Sequence, residues 1–407
     1  MTSNNASNTK RVAFVVQRCG LEVNGGAEHH CLQVAQRMAA HWQTEVLTTC
    51  ALDYTSWENW YPAGVEQTGG TLVRRFSVDQ PRDAKSFNRL SDKLHSRQSQ
   101  TSLEQQEDWM RAQGPISTPL FEYLKTEKDS YDAFIFFGYL YATTYFGLPL
   151  VAEKSYLAPL AHDEWPIYFK MWDPLFSLLN KLIFNSEMER EFLRRRFSHL
   201  RLAGPVIGVG IEHPGNVDPD RFRQTYGIDG PFLLYVGRID QSKGCDEMLD
   251  YFVRWQDEYQ TLEKLVLAGT EVMTIPFHNN IIHLGFLADS EKWDAMAACD
   301  WLLMPSYYES LSMAVLEGWS VGRPALVNGR CDVLVNHCRM SHGGVWYLNY
   351  DEWASALTSV DAPTKTILGR QGQRYVEEHY SWPRVETDYL ELMGPSRCEP
   401  ARQLDTV

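Results

Sequence analysis

The stretch that most constrains the fold runs from Trp301 to Val327, WLLMPSYYESLSMAVLEGWSVGRPALV. Its apolar run, Trp301 to Met304, stops at Pro305-Ser306, the pattern of a buried parallel strand giving way to a loop. Leu311, Val315, Leu316 and Trp319 then recur at helical spacing. The periodicity breaks near Gly322, and Pro324 to Val327 opens another apolar run. Strand, loop, helix and strand in that order build a parallel α/β sheet, whose ligands bind beyond the carboxyl ends of the strands. Two carboxylates fall there: Glu309 in the loop, and Glu317 about two helical turns further on. The amides around Leu311, Ser312 and Met313 would be free donors at the helix start, a ready anion site.

A chain of 407 residues suggests two domains, and 44% apolar residues with 13% aromatics supply cores for both. The formal net charge is −14 and the pI near 5.3. This excludes nucleic acid as a principal partner, because neutralising phosphates needs clustered Lys and Arg. It also disfavours strong adhesion to anionic lipid, although a local basic patch escapes that average. The eight cysteines form no Cys-x-x-Cys pair and several lie in apolar runs. They read as reduced core thiols of a cytoplasmic protein, with no metal site expected. The N-terminal MTSNNASNTKR has no apolar segment of the signal-peptide kind. Ala133 to Ala152 carries no charge and is long enough for a bilayer span, but Gly138, Gly147, Pro149 and several tyrosines interrupt it. It reads as a buried strand, Ala133 to Phe137, followed by an aromatic loop.

Along the chain, residues 1–9 are a polar tail expected to be disordered. Arg11 to Val16 reads as a buried strand. A loop with Asn24, Gly25 and Gly26 leads into a helix from Ala27, and a strand follows at Glu45 to Thr49. This βαβ opening lacks the G-x-G-x-x-G dinucleotide fingerprint. Its Gly-Gly pair either makes a tight turn or lets backbone amides approach a ligand closely. Residues 50–130 are rich in Trp, Tyr, Arg and Gln. Exposed rings there would suit sugar faces, while core packing explains most of them. A strand-like run from Tyr156 ends at His162-Asp163. Leu182 to Asn185 reads as a strand, and Ser186 with Glu189 as a capping box. The helix beyond bears Arg190, Arg194, Arg195 and Arg196, with Arg201 after it: a solvated face, or a local patch for membrane phosphates or a lipid diphosphate. Leu202 to Pro219, rich in Gly and Pro, reads as the interdomain connection. Its Asp218-Pro219-Asp220 has the form Asp-x-Asp but follows no hydrophobic strand, so metal binding is not expected there. Pro231 to Asp240 opens a second domain. Its strand ends at Gly237-Arg238, and the next loop carries Lys243-Gly244. Arg238 and Lys243, around one loop at a strand end, can converge on one diphosphate. Leu265 to Gly269 and Ile281 to Phe286 are further strands, and Glu291 to Cys299, Trp353 to Leu357 and Ile367 to Tyr380 are helical.

Taken in order, these motifs resemble the retaining family-4 glycosyltransferases. Their P-S-x-x-E…E-A-x-x-x-G-x-P-V signature stands here as Pro305, Ser306, Glu309, Glu317, Gly322 and Pro324, with Leu-Ser for the commoner Phe-Gly and Gly318 for the usual Ala. Their G-R-x-x-x-x-K-G motif is Gly237, Arg238, Lys243 and Gly244, and their G-G-x-E is Gly25, Gly26 and Glu28. The resemblance implies an α/β chain of two Rossmann-like domains, the glycosyltransferase-B architecture, with a central cleft and a C-terminal helix returning to the first domain. The expected layout is a tail at 1–9, an acceptor-side domain at 10–210 and a linker at 211–230. A nucleotide-sugar domain at 231–380, a returning helix at 381–395 and a disordered tail at 396–407 complete it.

The resemblance also implies the chemistry. Glu309, His162, Arg238 and Lys243 would be catalytic. Gly25, Gly26, Gly237, Gly285, Phe286, Leu287, Leu311, Ser312, Met313 and Glu317 would bind the donor, with the nucleobase near Gly285 to Leu287 and the ribose on Glu317. Breaking a sugar–phosphate bond builds negative charge on the leaving diphosphate, which Arg238, Lys243 and the amides at Leu311 to Met313 would meet without a metal. Glu309 would hold donor-sugar hydroxyls and stabilise the cationic side, and His162 would orient the sugar. No cofactor is expected beyond a nucleotide-diphosphate sugar as co-substrate. The expected acceptor is a hydroxyl of a glycan or lipid-linked molecule, in synthesis of a surface polysaccharide. The expected location is cytoplasmic, with peripheral contact at the inner membrane face as a further expectation. The competing readings are a nucleotide-sugar epimerase or sugar phosphorylase on the same fold, or a non-catalytic sugar-nucleotide-binding subunit.

Overall fold

The computed structural model describes residues 9–23, 25–179 and 181–394, without the Ser99 side chain. Asn24, the tail expected at 1–9 except Thr9, and the tail expected at 396–407 lie outside these residues. The chain divides into two units. The first is Met1–Asn185, Arg190–Val209 and Glu386–Val407; the second is Ser186–Glu189 and Gly210–Val385.

The first unit holds strands β1 (Arg11–Val15), β2 (Gln43–Thr49), β3 (Gly64–Thr68), β4 (Thr71–Phe76), β5 (Ala133–Phe137) and β6 (Ser155–Ala158), in the sheet order β3-β4-β2-β1-β5-β6. All neighbours pair parallel except β3 with β4. Strands β1 and β5 are almost wholly buried, as uninterrupted apolar runs covered on both faces should be. The uncharged stretch after β5 is a short helix, Ala142–Gly147, where an aromatic loop is expected. Among the described residues no helix is long and apolar enough to cross a membrane. Strand β6 ends at Ala158, four positions before His162, because Pro159 and a left-handed Leu160 (φ 55°) stop the ladder. Leu182 to Asn185 is not a strand either: it touches the sheet through single bridges, Leu157 to Leu182 and Phe184 to Val206. Ser186 supplies its half of the expected cap, its Oγ accepting from the Glu189 amide at 3.2 Å.

The second unit holds β7 (Phe232–Val236), β8 (Lys264–Ala268), β9 (Ile281–Gly285), β10 (Trp301–Met304), β11 (Ala325–Asn328) and β12 (Gly344–Tyr347), all paired parallel in the order β12-β11-β10-β7-β8-β9. Counted from β7, this is the doubly wound order 3-2-1-4-5-6 read from the other edge. The direction of winding therefore reverses between β7 and β10, the place where open α/β sheets bind their ligands, beyond the carboxyl ends of the strands. Below it lies a core of Leu233, Tyr235, Trp255, Leu265, Leu267, Trp301, Leu303 and Trp353.

Residues 211–230, expected as a linker, lie in this second unit and contain a helix, Pro219–Tyr226. Asp218 caps it, Oδ1 accepting from the Asp220 and Arg221 amides. Arg221 then grips the buried Asp294 with Nε at 2.6 Å and a second nitrogen at 2.8 Å. The Asp-x-Asp carboxylate is thus a helix cap.

The helix Met313–Ser320 is clamped by the long helix Ala362–His379, whose Gly369 comes so close that an added Cβ would lie 1.9 Å from the Gly322 carbonyl oxygen. That neighbour is backbone and cannot yield without moving the turn. Gly369→Ala is expected to cost about 2–3 kcal/mol by overpacking, read as a lower denaturant midpoint with an unchanged slope.

Candidate active site

The loop after β7 and the loop after β10 flank the switch point, and the residues singled out by their motifs meet there. Gly244 (φ 71°) ends the Gln241–Lys243 turn in a left-handed conformation, and a Cβ on it would lie 2.3 Å from the Pro305 carbonyl oxygen. Only glycine lets the two loops approach so closely. Asn328 at the end of β11 donates from Nδ2 to that same Pro305 oxygen at 2.9 Å, fixing where the Glu309 loop departs.

The result is a contact that links positions 66 apart in the chain: Lys243 Nζ lies 2.8 Å from Glu309 Oε1. Arg238 pairs beside it with Asp240, Nε to Oδ2 at 2.9 Å, while its carbonyl accepts from the buried Tyr235 hydroxyl at 2.8 Å. Gly237 closes β7, its amide donating to Ala268. Leu311 and Ser312 are buried, and Ser312 (φ 67°) is the N-cap of the Met313–Ser320 helix. Its Oγ is buried without a hydrogen-bond partner among the described residues. A helix start, an unpartnered hydroxyl, one lysine and one arginine thus gather at one sheet end, the donor set an oxyanion wants.

Glu317 is buried about one turn into the helix, but not unpaired: Lys292 Nζ reaches its Oε1 at 2.8 Å. Lys292 lies on the Asp289–Ala298 helix that follows β9. Burial would lower the Lys292 pKa, and the nearby Glu317 and Asp289 carboxylates outweigh it, so the ammonium is held above its ordinary value. Sequence reading missed Lys292, because a lone lysine in an acidic helix carries no signal of its partner. Gly285 ends β9 and its carbonyl accepts from Gly269 at 2.7 Å; Phe286 beyond it is 70% exposed and Leu287 is buried.

In the first unit, Gly25 caps the Gly26–Met38 helix, and Glu28 is buried. Glu28 Oε1 accepts from Gln17 Nε2 at 2.9 Å and lies 2.6 Å from an Arg18 terminal nitrogen. The glutamate of the Gly-Gly motif therefore ties the first turn of its helix to the loop that follows β1. His162 is partly exposed, with Nδ1 3.9 Å from Glu164 Oε1, which itself accepts from the Tyr139 hydroxyl at 2.8 Å. The arginine run divides. Arg196 is held by the Ile167 and Phe169 carbonyls at 3.0 and 3.4 Å, whereas Arg194, Arg195 and Arg201 are exposed.

Among the described residues no three or more His, Cys, Asp or Glu side chains gather as metal ligands do. The seven described cysteines are all buried and free of disulfides.

The fold and the site geometry define a class. Solved structures of the glycosyltransferase-B fold superpose over nearly the whole chain. Sucrose-phosphate synthase from Thermosynechococcus elongatus matches with a TM-score of 0.69 at 16% identity, covering 94% of this chain and 98% of that one. HepE of Anabaena, in complex with UDP and glucose, matches at 0.66 and 15% identity over 94% and 98%. The chain has the glycosyltransferase-B fold. More particularly, residues 230–360 match the family described as "Glycosyl transferases group 1", which spans β7 to β12 and the whole candidate site of the second unit. Among curated proteins, an uncharacterised glycosyltransferase of Methanocaldococcus jannaschii is 24% identical over 42% of this chain and 49% of its own length. The D-inositol 3-phosphate glycosyltransferase of Rhodococcus opacus is 24% identical over 55% and 57%. The chain thus spans about half the length of the curated relatives it matches.

Proposed function

We propose that this protein is a retaining glycosyltransferase that moves a sugar from a nucleotide-diphosphate sugar to a hydroxyl of a glycan or lipid-linked acceptor, without a metal, in the synthesis of a surface polysaccharide. The observation that carries the reading is the meeting of Lys243, Glu309 and the Ser312 helix start at the switch point between β7 and β10. A leaving diphosphate needs fixed cations and dipoles where its charge develops. Lys243, Arg238 and the amides after Leu311 supply them. Glu309, at hydrogen-bond distance from Lys243, is proposed to hold donor-sugar hydroxyls and to stabilise the electron-poor anomeric carbon. Glu317, paired with Lys292, is proposed for the ribose and the turn Gly285 to Leu287 for the base, on the family resemblance. HepE, with which the chain shares its fold, is seen with UDP-glucose, which supports a nucleotide sugar as donor. His162, Gly25 and Gly26 of the first unit are proposed for the sugar and the diphosphate on the strength of the family resemblance alone.

The test is thermal stabilisation by UDP, GDP, ADP and dTDP in EDTA, wild type against Arg238→Ala. Ligands of the native state raise the melting temperature by mass action. A shift with one nucleotide that survives EDTA and vanishes in the variant is the expected result. A shift that needs an added divalent cation sinks the metal-free reading. Incubation of the matching nucleotide sugar with and without acceptor separates transferase from epimerase, since an epimerase converts the donor alone. The anomeric configuration of the product decides retention.

A further inference from the structure

The buried His337 on the helix Asp332–Ser341 is outside every motif that the sequence offers. Its imidazole is 1% exposed, walled by the rings of Trp319, Tyr375 and Tyr380. Its Nε2 lies 2.9 Å from the Leu311 carbonyl oxygen and its Nδ1 lies 3.2 Å from the Tyr375 hydroxyl. A carbonyl only accepts, so Nε2 carries the proton. Desolvation holds the ring neutral, so Nδ1 is a lone pair and Tyr375 donates to it. A single chain of donors thus runs from Tyr375 through His337 to the loop of the candidate site.

The peptide joining Leu311 to Ser312 is trans. In a planar trans peptide the C=O and the N–H point to opposite sides. By holding the Leu311 oxygen toward the core, His337 turns the Ser312 N–H away from itself, and that N–H meets no acceptor among the described residues. Ser312 is itself in a left-handed conformation that a serine does not choose unaided. Something must hold the turn, and His337 is the side chain bonded to it. The far end of the chain is rigid too. Tyr375 rides on the Ala362–His379 helix, whose Gly372 packs so tightly on Trp319 that an added Cβ would lie 2.5 Å from the indole.

We propose that His337, oriented by Tyr375, is the positioning residue that aims the Ser312 and Met313 amides at the diphosphate of the donor. The proposal rests on the functional reading above and goes beyond it by naming what sets the anion site. The test compares the nucleoside diphosphate that stabilises the wild type most with its own nucleoside, by calorimetric titration. His337→Phe keeps the ring volume and removes the donor. It is expected to weaken the diphosphate by about tenfold, the loss of one buried hydrogen bond, with the nucleoside affinity unchanged. His337→Gln, whose Nε2 reaches where the imidazole Nε2 was, is expected to restore most of the diphosphate affinity. Tyr375→Phe removes one hydroxyl from an otherwise intact core and is expected to lose several-fold, again on the diphosphate only; it carries the test should His337→Phe not fold. Diphosphate affinity unchanged in His337→Phe or, where that variant does not fold, in Tyr375→Phe overturns the assignment of His337 while leaving the site standing. Equal losses of diphosphate and nucleoside overturn it as well. A wild type that binds the diphosphate no better than the nucleoside overturns the site itself, and the proposal with it.

Discussion

Lys243→Ala is expected to lower sugar transfer by about 10²- to 10³-fold, the scale of removing one fixed stabiliser of developing negative charge. The ammonium stands 2.8 Å from Glu309 at the sheet's switch point, on a turn whose position Gly244 fixes by its contact with Pro305. The loss should fall mainly on kcat, because the diphosphate gains charge as the bond to the sugar breaks and a cation there helps most in the transition state. Lys243→Arg retains the charge but not the compact geometry, and is expected to recover only part of the rate. Steady-state kinetics on the matched donor decide the matter. A variant that raises KM and leaves kcat alone would show that Lys243 only holds the substrate, and the proposed role at the leaving group would fall.

Stability is expected to drop steeply as pH falls from about 6.5 to 4. His30 and His337 are both fully buried, and desolvation brings each imidazole down from 6.5 to about 4; backbone carbonyls, Gly208 for His30 and Leu311 for His337, resist that fall only in part. Above pH 6.5 both rings are neutral in the folded and the unfolded chain, and neither contributes a pH dependence. Below it the unfolded chain takes up protons that the folded chain refuses until about pH 4. The unfolded state is thereby favoured by about 3 kcal/mol for each ring across that window. Denaturant unfolding at pH 7, 6, 5 and 4.5 reads the slope directly. His30→Gln should remove about half of it. A slope that this variant leaves unchanged would mean that His30 is charged or hydrated in the native protein.

The apolar runs at Phe232 to Val236, Trp301 to Met304 and Ala325 to Val327 mark their strands because parallel strands are buried on both faces. Gly237, Lys243, Gly244, Pro305 and Glu309 stood out through the family motifs they resemble, and the structure brings Lys243 to Glu309 and Gly244 against Pro305. Elsewhere local pattern misled. The Pro- and Gly-rich stretch before Pro231 reads as a linker, yet Asp218 caps a helix there, which Arg221 fastens to Asp294 from 73 residues away. The run from Tyr156 looks like a strand as far as His162, yet Pro159 and Leu160 end it at Ala158.

By itself the sequence determined the two α/β units, most strands of the second sheet and the loops that carry charge, because periodicity, glycine and proline act within a few residues. The tertiary structure alone decided who meets whom: Lys243 with Glu309, Lys292 with Glu317, Arg18 with Glu28, and His337 with the Leu311 carbonyl. Those pairs depend on which strands are neighbours and how closely helices pack. That is set by burial summed over whole sheets, and no short stretch of sequence records it.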